Sequence, residues 1–287
     1  MEILLLSVIG LCVGLAGGLF GIGGGIVLIP ALTEFYGPDQ HRYQAASLIV
    51  NFFVAVPAVY QHMRARAIRG RMVIWLMPPV VVSVVLGVAL SEIAVFSNGG
   101  EAWLRLCFAG FLLFAGSMEG YRMISPGATS NGVVEAMGKA ARPVEPLAGN
   151  VDPAQWTGRD RLRAVAVAAP TGITAGLLGV GGGVVAVPLQ RRLLNIPLRI
   201  AIANSAAMIV ATSFFGAITK NYAYFREHGQ WDAMVLAALV APAAIVGSLA
   251  GSRLTHKLPL TILRILFIGL LIVAAIRMGW GAWAQLR

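Results

Sequence analysis

The sequence predicts an all-α polytopic membrane protein built from two homologous repeats, and three observations carry that prediction. Of its 287 residues, 58% are hydrophobic and only 12% are charged, about half the charged fraction of a soluble domain. Apolar runs near the length that crosses a bilayer recur at 3–20, 72–95, 103–118, 162–178, 200–218, 233–251 and 260–284. Finally, the stretch GLFGIGGGIVLIP at 18–30 returns as GLLGVGGGVVAVP at 176–188.

A shift of 158 positions aligns the two glycine stretches without a gap and brings Ala45 onto Ala203, Ser47 onto Ser205 and His62 onto Lys220. After a short insertion, PPVVVSVVLG resembles PAAIVGSLAG, and LRLCFAGFLL from Leu104 resembles LRILFIGLLI from Leu263, placing Arg105 on Arg264. Such self-similarity marks a duplicated unit. The repeats are 1–123 and 161–287, and 124–160 is a polar linker rich in Pro, Gly, Asn and charge, expected to be cytoplasmic with a short surface helix at 133–141.

Each unit starts with a helix (3–20; 162–178), the glycine break and a short helix (26–36; 184–194). Three longer helices follow, at 45–62, 72–95 and 103–122, then at 200–220, 231–252 and 260–284. If every long segment crosses, the copies run parallel and the basic stretches QRRLLNIPLR and SRLTHKLP face outward, against the positive-inside rule. If the broken element instead enters and returns on one side, each unit makes three full crossings and the copies are inverted. Those two stretches, HMRARAIRGR and the linker then lie inside, while KNYAYFREHGQWD and SEIAVFSNGGE lie outside. The loop charges therefore favour inverted repeats, a plan common among secondary transporters.

Several function classes drop out. The net charge of +10 resides in short loops beside apolar segments, where it sets topology rather than binding nucleic acid. Cys12 and Cys107 have no metal or redox spacing and read as small hydrophobes packed in the core. There is no Ser/His/Asp set, HExxH or P-loop, so the chain reads as a non-enzyme without cofactor or metal. The glycine run is not a dinucleotide loop, which would need a preceding strand and an acidic residue about 20 positions on. The first segment lacks the basic start and cleavage site of a signal peptide and is expected to be retained.

The glycine breaks are the candidate site. Three glycines inside a helix cost roughly 1 kcal/mol each relative to alanine, and unwound chain at membrane depth survives only inside protein or beside a wet cavity. The residues in question are Gly21, Gly23, Gly24 and Gly25 in the first copy and Gly179, Gly181, Gly182 and Gly183 in the second. Each break starts a new helix whose first N–H groups lack helical partners and, with the helix dipole, favour an anion. One terminus contributes up to about 2 kcal/mol, against tens of kcal/mol by the Born estimate for full desolvation of an ion. Side chains must therefore help, and Ser47, Asn51, Asn204 and Ser205 in the next helix of each copy are nearest. The bland readings are close helix packing for the glycines and back-bonding to the preceding turn for the serines.

Basic His62, Arg105, Lys220 and Arg264 fall near helix ends, where they either snorkel to headgroups or guard the mouths of an anion path. Glu92 and Glu119 also sit near helix ends, and no buried carboxylate marks a coupling residue.

The paired glycine–proline stretches, the helix starts AASLIV and ANSAAM, and the duplication together resemble the TauE/SafE family of sulfite and organosulfonate exporters. Where that family often shows small-Thr-Ser, this chain has Ala45-Ala46-Ser47 and Ala203-Asn204-Ser205. The resemblance implies a multi-pass carrier of the bacterial inner membrane that moves sulfite, sulfoacetate or a related anion outward. Its expected partners are that small anion and the lipid bilayer, not nucleic acid, with homo-oligomerisation left open. An anion channel and a non-transporting scaffold are the alternatives.

Overall fold

The computed structural model describes residues 2–20, 22–64, 66–93, 100–124, 157–254 and 260–285. Its helices are α1 (Glu2–Phe20), α2 (Gly25–Tyr36), α3 (Gln40–Arg64), α4 (Gly70–Ser91), α5 (Glu101–Ile124), α6 (Gly158–Leu178), α7 (Gly183–Leu193), α8 (Leu198–His228), α9 (Asp232–Leu254) and α10 (Leu260–Gln285). The linker and its expected surface helix at 133–141 lie outside the described residues, as does Gly21.

Both helix breaks fall where the glycines predict. Two boundaries differ in ways that matter for the site. α3 begins at Gln40 rather than at 45, which brings Gln40, His41 and Gln44 onto the helix. α8 continues to His228 rather than stopping near 220, because no breaker occurs before Gly229, whose left-handed φ of 67° ends the helix. Most of KNYAYFREHGQWD is therefore helix, and Lys220 lies two turns inside it.

Small residues dictate the pairing of helices. α1 and α9 run side by side in the same direction, with Gly10, Gly14 and Gly18 against Val240, Ala244 and Ser248. A Cβ on Gly10 would stand 2.5 Å from the Val240 carbonyl oxygen, so only glycine allows this approach. α6 and α4 pair likewise through Gly172 and Gly176, where a Cβ on Gly172 would meet Val80 O at 2.5 Å. α3 and α8 cross antiparallel, with Leu48 against Gly216 and Asn221 Nδ2 donating to Ala45 O at 3.2 Å. α5 and α10 form the fourth pair. Exchanging each helix with its counterpart in the other half leaves this set of pairs unchanged.

These directions define two ends of the bundle. At the first lie the turn at 37–39, the end of α4, the start of α5 and the α8–α9 turn. α1 enters from this end, and α2 returns to it, where Tyr43 Oη donates to Gly37 O at 2.9 Å. α6 enters from the opposite end, and α7 turns back toward it to meet the start of α8. Among the described residues, five helices are long and apolar enough to cross a membrane: Gln40–Arg64, Gly70–Ser91, Glu101–Met118, Ile200–His228 and Asp232–Gly251. Exposed aromatic residues gather at both ends, with Trp103, Trp231, Trp280 and Trp283 at the first and Tyr60, Trp75 and Tyr121 at the second. This is the distribution of interfacial belts. Cys12 and Cys107 are exposed on the outer face rather than packed in the core, since α1 turns Leu6, Ile9 and Val13 inward and α5 turns Leu104, Phe108 and Leu112 inward.

Candidate substrate site at the two helix breaks

The breaks meet at mid-depth. Ser47 and Asn51 follow Gln40 by seven and eleven residues, about 10 and 16 Å along a helix. Ser213 follows Leu198 by fifteen residues, near the middle of α8. A Cβ on Gly23 would lie 3.1 Å from Val180 O, and one on Gly183 would lie 3.2 Å from the Ile22 Cα. The two unwound segments therefore touch. Gly23, Gly179, Gly181 and Gly182 hold φ between 74° and 89°, a left-handed region that other residues enter only at a cost of roughly 1–2 kcal/mol.

The first break is satisfied from within. Asn51 Oδ1 accepts from Gly24 N at 2.7 Å and Gly25 N at 2.8 Å. Asn51 Nδ2 donates to Gly179 O at 3.1 Å and to Ser47 Oγ at 3.4 Å, and Ser47 Oγ donates to Gly179 O at 2.8 Å. Gln44 Nε2 donates to Leu177 O at 2.9 Å. The expectation of bare amide donors at Gly24 and Gly25 is thus corrected. A buried amide side chain occupies them and ties the first break to the carbonyls of the second.

The second break is built differently. The position matching Asn51 is Ile209, which has no polar atom to offer. Thr212 Oγ1 donates to Gly181 O at 2.9 Å, while Ser205 Oγ reaches Gly183 O only at 3.5 Å. Ser213 is fully buried and its hydroxyl has no partner among the described residues. That hydroxyl lies 3.6 Å from where a Cβ on Gly181 would stand. An unspent hydroxyl therefore stands beside Gly181, two residues before α7, at whose start N–H groups and the positive end of the dipole gather.

A buried polar stripe runs from this site to the first end of the bundle. On α3 it comprises Gln40, Gln44, Ser47 and Asn51, all with 0% exposure. Both amide atoms of Gln40 and the Oε1 of Gln44 are buried without partners among the described residues. Opposite them on α8 stand Ser213 and Lys220. The stripe opens on an ion cluster in which fully buried Lys220 pairs with Glu92, donates to Ser91 Oγ at 2.8 Å and lies 2.7 Å from His41 Nδ1. Burial alone would raise the Glu92 carboxyl, but pairing with His41 and Lys220 outweighs it and holds the group down to about 2.

The remaining predicted residues lie elsewhere. Asn204 turns toward α4, accepting from Arg69 N at 3.2 Å and donating to Met72 S at 3.3 Å. His62 sits in the last turn of α3, at the opposite end from Lys220. Arg105 packs against α10, donating to Gln285 Oε1 at 2.9 Å. Arg264 belongs to α10, and Gly21 falls outside the described residues. Sequence reasoning missed Gln40, His41, Gln44, Thr212 and Ser213. The signal for the first group was the 4-3-4 spacing of polar residues at 40, 44, 47 and 51, one face of a helix in an otherwise apolar span.

Comparison with known proteins gives a consistent result. The family described as Sulfite exporter TauE/SafE matches residues 6–278. The "Probable membrane transporter protein MamO" of Magnetospirillum gryphiswaldense is 27% identical over 96% of this chain and 45% of its own length. The "Probable membrane transporter protein MJ0441" of Methanocaldococcus jannaschii is 26% identical over 93% of this chain and 91% of its own. The "Probable membrane transporter protein YunE" of Bacillus subtilis is 24% identical over 95% and 96%. The chain thus spans less than half of the MamO proteins but nearly all of the latter two. No solved structure matches it significantly.

Proposed function

The chain belongs to the sulfite exporter TauE/SafE family, and we propose on that premise that it exports small sulfur-containing anions such as sulfite or sulfoacetate. It is a multi-pass membrane transporter and not an enzyme. The proposed substrate rests at the second break, against Ser213 and the amides that open α7, with Thr212 and Ser205 fixing the loop. The first break, capped by Asn51, serves as the rigid wall of that site. The unpartnered, fully buried Ser213 hydroxyl is the observation that carries this reading. A buried polar group without a partner costs about 1–3 kcal/mol, a penalty that a bound oxyanion would remove.

Movement is proposed to follow from rocking of two inverted repeats about the touching breaks. The entry of α1 and α6 from opposite ends supports the inverted arrangement, as does the antiparallel crossing of the counterpart helices α3 and α8. Uptake into proteoliposomes, compared for sulfite, sulfoacetate, sulfate and taurine, tests the function. Saturable transport of the sulfur anions, accelerated by anion on the opposite side, is expected of a carrier. A flux that never saturates would indicate a channel, and no discrimination among the four would end the reading.

A further inference from the structure

A buried lysine and a buried histidine gathered with a half-buried glutamate near the end of a membrane span are costly unless they serve a purpose. Lys220 comes from α8, His41 from α3 and Glu92 from the end of α4, so the cluster spans both halves of the chain. Its geometry offers one proton two alternative arrangements. His41 Nδ1 lies 2.7 Å from Lys220 Nζ, which carries no lone pair when charged, so in this arrangement the neutral ring accepts from lysine. The same nitrogen lies 3.4 Å from Glu92 Oε1.

We propose that His41 Nδ1 is the proton-binding site of this transporter and that one proton is carried with each anion bound at the second break. This rests on the carrier reading above. A proton from water adds to the Nδ1 lone pair, making imidazolium, whose new N–H donates to Glu92 Oε1. Lys220 thereby loses its histidine acceptor and faces a like charge. The charge of the trio rises from zero to +1.

Lys220 stands seven residues from Ser213 on α8, about 10 Å along the helix. At the effective dielectric of protein sites, one added positive charge at that distance favours a bound anion on the order of tenfold. By reciprocity, bound anion favours proton uptake to the same degree. Gln40 and Gln44, with buried unpartnered amide atoms, line the stretch between the cluster and the breaks. The other charged groups facing the cluster are Glu101 from the start of α5, Glu227 from α8 and Asp39 from the turn before α3. Arg42, Tyr43, Tyr224 and His228 surround Asp39. Glu92, whose carboxyl its partners hold down to about 2, is the acceptor for the new N–H.

The test uses the purified chain in proteoliposomes with a trapped pH-sensitive dye and an inward gradient of sulfoacetate. For the wild type we expect the lumen to acidify with anion entry, about one proton per sulfoacetate. We also expect apparent affinity to tighten on the order of tenfold when the medium is acidified. In His41→Gln the ratio of protons to sulfoacetate falls to near zero and the pH dependence of affinity flattens. Wild-type sulfoacetate entry without acidification overturns the proton site alone and leaves the carrier reading standing. Absence of any sulfoacetate movement overturns the carrier reading and the proton site with it. The wild-type dye record decides the question even if His41→Gln fails to fold, and a variant that folds yet keeps wild-type coupling also overturns the proposal.

Discussion

Ser213 and Asn51 sit at the same depth yet predict opposite phenotypes. The Ser213 hydroxyl has no partner among the described residues, so Ser213→Ala removes an unsatisfied buried group and is expected to hold or raise the thermal midpoint in detergent. A charge-assisted hydrogen bond contributes about 1.5–3 kcal/mol, so the same variant should weaken the Kd for sulfoacetate roughly tenfold or more. Asn51 joins two amides, a carbonyl and a hydroxyl in the folded protein. Asn51→Ala strands several buried groups at about 1–3 kcal/mol each, and the loss should appear as a large drop in thermal midpoint. Gly182→Ala combines a φ of 80° with a carbonyl oxygen of Thr171 at 2.5 Å from the new carbon, and should likewise fail on stability before substrate is considered. The Glu92 carboxyl is lowered to about 2 by its partners. Its stabilising contribution is therefore complete above the ordinary carboxylate range, declines as pH falls below that range and is gone below about 2.

At the scale of elements, glycine does two separate jobs. The runs at 23–25 and 181–183 break helices, whereas Gly10, Gly14, Gly18, Gly172 and Gly176 let intact helices approach. Gly14→Leu is expected to separate α1 from α9 and lower stability by several kcal/mol through overpacking, with little chance of a folded, selective loss of binding. The break was read from the consecutive glycines, whereas the packing role of Gly10, Gly14 and Gly18 went unread although their spacing of four places them on one helix face. The serine and asparagine of α3 were legible too, from their place one helix after the break. Ser213 was not, because a lone serine in an apolar helix gives no sign of which neighbour it meets. Lys220 looked like a helix-end residue because its alignment with His62 implied equal depth. It was the continuation of α8 to Gly229 that buried it. Its pairing with Glu92 across 128 positions depends on the α4–α8 packing, which no local pattern reveals.

At the scale of the molecule, the account requires that the turn after α2 and the loop after α7 face opposite sides of the membrane. Pro38 and Asn195 are exposed at those two places. With Cys12 and Cys107 replaced by serine, Pro38→Cys and Asn195→Cys should react with a membrane-impermeant maleimide from opposite sides of sealed vesicles. Labelling from one side would restore the parallel arrangement that the loop charges disfavour. In the proposed carrier, opposed entry of α1 and α6 would let one central site be exposed alternately to each side by equivalent motions of the two halves. All of this converges on where the anion rests. Selenite, a heavier analogue of sulfite, can be located by its anomalous scattering in crystals of the protein. The account predicts a selenium peak within hydrogen-bonding reach of Ser213 Oγ and the amides that open α7. A peak at the first break around Asn51, or only among surface arginines such as Arg191 and Arg192, would contradict it.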